Sequence, residues 1–217
     1  MKLVMPHTVF IIFVGFLFSA CNGSTTDIAK IHEQKFPTKQ LIVKDSLIID
    51  VQPFFDIPDS LVKYVFMRVK KLCPYVVLNQ PIMLPQNAFY KPRNRYKADS
   101  LLLYLRANLK KAHVVIGLTS KDISTSKEKI SDWGVMGLSD CPGNACVISC
   151  FRLNKNNLPA QLYKVAIHEL GHTQGLDHCS NKTCIMRDAE GKNTTEEEKD
   201  FCSKCKAVLI AKGWVFN

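Results

Sequence analysis

The chain of 217 residues holds no internal repeat and no low-complexity tract. Its apolar runs fall short of the ~20 residues that a membrane-spanning helix needs. These absences argue against a solenoid, a polar disordered chain and a protein threaded through a bilayer. Acidic residues are scarce, with 19 Asp and Glu against 29 Lys and Arg, a formal charge of +10. Histidine is scarcer, at six, and forms no His-rich tract. A zinc-buffering protein would be expected to carry such a tract.

What is present fits one packed domain. Hydrophobic residues make up 47% and charged residues 22%, enough for a single core and cramped for two. The basic surplus is spread along the chain, and its densest stretch is Lys91-Pro-Arg-Asn-Arg-Tyr-Lys97. It reads as a solvated surface beside acidic lipid head groups, so no nucleic-acid partner is expected.

The N-terminus reads as a targeting segment. Lys2 precedes an apolar run from Val9 to Phe18, and Ser19-Ala20-Cys21 follows. Small residues directly before a cysteine match a lipoprotein signal. Residues 1–20 would be removed, and the Cys21 thiol would carry the lipid anchor. Phe18 stands where leucine is more usual. Residues 21–35 are polar and read as a tether, leaving 36–217 as the folded domain. The expected location is the bacterial cell envelope, on the periplasmic or outer-membrane face, with the protein monomeric.

Periodicity places the elements. Leu41 to Val51 suits a first strand, and Pro58-Asp59-Ser60 opens an amphipathic helix to Leu72. Val76 to Leu78 is a short strand. Residues 79–96 carry three prolines and read as an extended loop. A second helix fits Ala98 to Lys111. His113 to Leu118 reads as a buried strand, with further strands at Trp133 to Leu138 and Ala145 to Leu153. Pro142-Gly143 between them has the order of a type II turn. A helix from Leu158 through Gln174 follows, and the last helix is expected to begin near Thr194, where Glu196, Glu197 and Glu198 suit a helix N-terminus.

The chemistry concentrates in one segment, His168-Glu169-Leu170-Gly171-His172-Thr173-Gln174-Gly175-Leu176-Asp177-His178. Four residues apart on a helix, His168 and His172 share one face. Gly175 can end that helix and turn the chain, so that His178 returns to the same metal. A straight helix would carry His178 about 15 Å along its axis from His168. Three protein ligands leave the fourth zinc position open, as in a catalytic site. Glu169 projects to a neighbouring direction, where it can take a proton from a zinc-activated water during attack on a peptide carbonyl.

Cys179, Cys184, Ile185 and Met186 follow at once, and Cys202 and Cys205 come later. With these elements in order, the chain resembles the archaemetzincins, a family of zinc metallopeptidases in the metzincin clan. The fifteen residues between Met186 and Cys202 form a slightly shorter spacer than the family pattern. Leu84-Pro85, Ala88-Phe89-Tyr90 and Arg95-Tyr96-Lys97-Ala98 extend the resemblance upstream.

The resemblance implies an α+β fold: a compact metzincin-like domain with a twisted mixed sheet, an active-site helix and a zinc-stapled C-terminal helix. It implies two Zn2+ ions, one catalytic and one structural, the latter held by Cys179, Cys184, Cys202 and Cys205. Met186 would be the Met-turn residue beneath the histidines, and peptides or proteins would be the substrates. An oxidising compartment leaves two disulfides as the alternative for the four cysteines. Cys73, Cys141, Cys146 and Cys150 are surplus, and a Cys141–Cys146 bridge is open. Ala145 to Leu153 is the candidate edge strand for an extended substrate, with a plain sheet strand as the alternative. A catalytically inactive zinc-binding surface lipoprotein is the other functional class, and the intact Glu169 argues against it.

Overall fold

The computed structural model describes residues 47–108 and 113–216. The expected signal segment, the tether, Cys21, the start of the first strand and the tail of the second helix lie outside them. Among the described residues no helix is long and apolar enough to cross a membrane.

The chain opens with strand β1 (Ile48–Pro53), helix α1 (Asp59–Leu72) and strand β2 (Tyr75–Leu78). Helix α1 forms where expected. Asp59 stands in its first turn and Lys70 and Lys71 in its last, each sign complementing the helix dipole. Leu61, Val62, Val65 and Val69 form its buried stripe.

The proline-bearing stretch is more ordered than a loop. It holds two 3-10 turns and strands β3 (Phe89–Tyr90) and β4 (Arg95–Lys97), which lead into helix α2 (Ala98–Ala107). Strands β5 (His113–Thr119), β6 (Ile123–Lys127), β7 (Ile130–Val135), β8 (Gly137–Ser139) and β9 (Ala145–Ser149) follow.

Two sheets result where one was expected. The five-stranded sheet runs β2-β1-β5-β9-β8, and the four-stranded sheet runs β3-β4-β6-β7. In the first, four strands are parallel and only β8 is antiparallel, paired to β9. In the second, β4 and β6 are parallel and the outer pairs antiparallel.

Parallel strands covered on both faces read as continuous apolar runs, as β5 does. Its side chains alternate between two cores. Val114, Ile116 and Leu118 join the core under α1, while Val115 faces the core built on Leu101, Leu102 and Leu105 of α2. Cys146 and Ile148 of β9 likewise face the first core, and Ala145 and Val147 the second.

Helix α3 (Leu158–Thr173) packs in the first core. Pro159 sits in its first turn, where a missing N–H costs nothing. Helix α4 spans Ser203–Ala211, so it starts later than the acidic cluster suggested. Residues 195–197 form a turn instead, with Glu198 buried and accepting a hydrogen bond from the Thr194 hydroxyl at 2.8 Å. A buried, partnered carboxylate closes a loop there, and no helix end is available for it.

Two further expectations change. Ala145 to Ser149 is wholly buried between β5 and β8, so β8 is the edge strand. The Cys141–Pro142 peptide is cis, which departs from the type II turn. Cys141 and Cys146 are both free thiols, one exposed and one buried.

Candidate active site

Helix α3 ends by a turn that its sequence requires. Gly175 takes φ +89°, which a side chain would strain. Its N–H donates to His172 O at 2.8 Å and the Leu176 N–H donates to Gly171 O at 3.1 Å, the paired bonds of a Schellman end. The turn reverses the chain and aims the Leu176 carbonyl at His172, whose Nδ1 lies 2.6 Å away. The Nδ1 of His168 is 2.6 Å from the Ile185 carbonyl. Because a carbonyl can only accept, both Nδ1 atoms carry the proton and both Nε2 lone pairs are free.

Those free nitrogens converge. His168 Nε2 and His172 Nε2 are 3.0 Å apart. Two ligands on one tetrahedral zinc, each at about 2.05 Å, would stand about 3.3 Å apart. His178 completes the group, and the three donor atoms lie within 4.8 Å of one another. Asp188 Oδ2 is 3.6 Å from His178 Nδ1. Burial holds the His168 and His172 imidazoles below the usual histidine range, which favours the neutral, metal-binding form. The donor chemistry, the tautomers and the spacing all fit zinc.

Glu169 is buried, and its Oε2 accepts from the Ser139 hydroxyl of β8 at 2.6 Å. Burial raises its carboxyl above the usual range, opposed by the Ser139 hydrogen bond and by His172 and His178. Strand β8 runs close against it: a Cβ on Gly137 would come 2.5 Å from Glu169 Oε1. Met186 is fully buried, and its sulfur fills the space a Cβ on Gly171, the residue before His172, would need.

The four cysteines also converge, within 4.8 Å. Cys179 and Cys202 sulfurs are 3.8 Å apart, as are those of Cys184 and Cys205. Four sulfurs at 2.3 Å from a tetrahedral zinc stand about 3.8 Å apart, whereas a disulfide requires about 2.05 Å. All eight described cysteines are unbridged. The Cys202 thiol is lowered to about 7, chiefly by the Cys205 backbone N–H, while burial pushes the Cys205 thiol up. Cys184 directly precedes Ile185 and Met186, and the Cys179 N–H donates to Met186 O at 2.7 Å, so this cluster is tied to the segment whose Ile185 carbonyl orients His168.

A cavity of about 510 Å³ adjoins the histidines, bounded by β7, β8, α3 and the loop after Met186. Sequence reasoning assigned neither Ser139 nor Asp188. Ser139 lies thirty positions from its partner, and nothing in the local pattern marks either residue.

The comparisons agree with this geometry. Residues 41–211 match the sequence model of Peptidase family M54. The archaemetzincin of Haloquadratum walsbyi is 26% identical over 178 residues, covering 75% of this chain and 99% of its own. That of Methanopyrus kandleri is 34% identical over 130 residues, covering 58% of this chain and 72% of its own. The crystal structure of the Methanopyrus kandleri archaemetzincin matches with a TM-score of 0.67 at 27% identity, over 79% of this chain and 98% of that one. The archaemetzincin of Archaeoglobus fulgidus, complexed with malonate, matches with a TM-score of 0.64 at 26% identity, over 75% and 99%. With a match across most of its length and its histidine and cysteine groups assembled, the chain belongs to Peptidase family M54 and is a zinc metallopeptidase.

Proposed function

We propose that His168, His172 and His178 hold a catalytic zinc, that Glu169 is the general base, and that Cys179, Cys184, Cys202 and Cys205 hold a separate structural zinc. The observation that carries this reading is the free, convergent Nε2 pair of His168 and His172, with each Nδ1 committed to a carbonyl. Zinc in the histidine site supplies Lewis-acid polarisation of the peptide carbonyl and of a water molecule.

The chain's own residues do the rest. Ser139 donates to Glu169 Oε2 and so orients the carboxylate, leaving Oε1 to take the proton of the attacking water. Glu169 then returns that proton to the leaving amine. The outer edge of β8 offers backbone groups along which a substrate can lie extended. Met186 is the apolar floor of the site, and the cysteine-bound zinc secures the turn that carries His178.

Export belongs to the same proposal. Residues 1–20 serve as the signal, Cys21 carries the lipid, and residues 21–35 tether a monomeric domain at the bacterial cell envelope. The support is the apolar run ending in Ser19-Ala20-Cys21.

The test is hydrolysis of a diverse peptide mixture by the zinc-loaded protein. Cleavage should stop with chelator and in Glu169→Gln, and that variant should keep its zinc. Peptidase activity persisting in Glu169→Gln would contradict the role of Glu169. Radiolabelled fatty acid incorporated by the full chain, and absent from Cys21→Ser, tests the anchor.

A further inference from the structure

Among the cations that line the cavity beside the histidines, Arg152 is held in a fixed pose by both oxygens of one carboxylate. Arg152 follows β9, and its Nε and Nη2 donate to the two oxygens of Asp122 at 2.8 and 2.9 Å. Its guanidinium lies flat across β7 and occupies the space a Cβ on Gly134 would need, so only glycine admits it there. A guanidinium offers five N–H bonds. The two used by Asp122 form its side-on fork. The end-on fork of Nη1 and the outer Nη2 hydrogen has no partner among the described residues, and the side chain is 35% exposed.

Local charges leave that fork positive. Asp122 is shared with Arg95, whose Nε lies 3.0 Å away. The neighbouring carboxylate, Asp132, is occupied by Arg93, Arg95 and Lys97. Two carboxylates, Asp122 buried and Asp132 partly so, therefore face four cations. Lys127, Lys192 and Arg187 also line the cavity, and Arg187 is engaged by Glu197 at 2.6 Å and by the Lys182 carbonyl at 3.0 Å. Apart from Glu169, the general base of the proposed reading, the cavity's acidic groups are already engaged. Asp188 accepts from the Glu190 N–H at 2.8 Å and lies beside His178. Glu198 accepts from Thr194, and burial raises its carboxyl toward the neutral form.

We infer that Arg152 is a specificity-determining residue, whose open end-on fork binds a substrate carboxylate close to the scissile bond. The inference rests on the peptidase reading, because it assigns the cavity to the substrate. A bidentate guanidinium–carboxylate pair has the planar match that lysine lacks, and in a partly desolvated cavity it discriminates strongly against a neutral isostere. The carboxylate can come from an Asp or Glu side chain beside the cleaved bond, or from a peptide C-terminus just beyond it.

Matched fluorogenic peptides separate these sources. One series carries Glu, Gln or Lys at each position flanking the scissile bond. A second ends just past that bond in a free acid or an amide. With the zinc-loaded protein, kcat/KM for one Glu peptide should exceed that for its Gln counterpart about tenfold or more. The Lys peptide should be worse than the Gln peptide. A preference confined to free acid over amide assigns the site to the C-terminal carboxylate. Arg152→Gln should bring the ratio to about one, and Arg152→Lys should retain part of it. Because a ratio does not depend on the folded fraction, misfolding of a variant cannot mimic the result. Equal cleavage of Glu and Gln peptides and of acid and amide peptides, or a preference for Lys, would overturn the inference while leaving the peptidase reading intact. If nothing is cleaved, fluorescence anisotropy of the same peptides on Glu169→Gln decides. A Glu-over-Gln or acid-over-amide binding contrast sustains the role of Arg152 and places the failure in the catalytic reading. Equal binding, or none, overturns the inference.

Discussion

The histidine group and the cysteine group sit next to each other in sequence, at His178 and Cys179, and both gather their donors within 4.8 Å. They differ in number and in access. Three nitrogens leave a position open beside a cavity of about 510 Å³, whereas four sulfurs close a tetrahedron. On the proposed reading, similar spacing arithmetic yields a reactive centre in one place and a staple in the other. The partners of the donors differ as well. His168 and His172 are oriented by backbone carbonyls from the turn after α3 and from the segment before Met186. The cysteines tie that same segment to the start of α4. In the proposed two-zinc reading, the cysteine group would thus support the geometry on which the open site depends.

The largest contrast should come from Glu169→Gln. General acid–base catalysis contributes on the order of 100- to 10,000-fold, so kcat should fall by about that much. Zinc content should not change, and thermal stability should hold or rise because a buried carboxylate is removed. Steady-state kinetics with metal analysis and a melting curve check all three.

Cys202→Ser with Cys205→Ser should act in the opposite way. Stability should fall by several kcal/mol, since binding to a structural zinc is coupled to folding. Activity should fall only as the folded fraction does, which denaturant titration and active-site titration can separate. Next comes Gly171→Ala, whose methyl would strike the Met186 sulfur. Overpacking of this kind costs about 1–3 kcal/mol. Met186→Ala in the same chain should recover part of the loss in a urea titration, linking the floor of one site to the segment braced by the other.

An effect of comparable size, seen only at high pH, concerns a thiol outside both groups. Burial pushes Cys73 up to about 12 from 9.0. An unfolded Cys73 would ionise near 9.0 and a folded one would not, so the unfolded state binds fewer protons above that point. The contribution is whole below pH 9.0 and fades as pH rises toward 12. Urea midpoints at pH 8 and about pH 10.5 should show a decline of roughly 2 kcal/mol from this group, absent in Cys73→Val. Cys202, lowered to about 7, should instead be the first thiol alkylated near neutral pH once metal is stripped.

Legibility in the sequence followed the range of the interaction. The catalytic helix, the glycine turn and helix α1 were readable because their causes lie within a few residues. The α+β class followed from the archaemetzincin resemblance, which those motifs carry. Sheet order was not readable. β9 looked like the edge strand because nothing local reveals that β8 pairs outside it. The acidic run at 196–198 resembled a helix start, yet Glu198 is drawn into the cavity wall and α4 waits until Ser203. Arg152 and Asp122 stand thirty residues apart on different sheets' margins, so their pairing had no local sign.

The most direct test of two distinct zinc sites is zinc per chain, measured by mass spectrometry of the metal on folded protein purified with zinc. Wild type should hold two. Cys202→Ser with Cys205→Ser should hold one and still cleave peptide, and His168→Ala with His172→Ala should hold one and cleave none. One zinc in wild type, unchanged by the cysteine substitutions, would contradict the account.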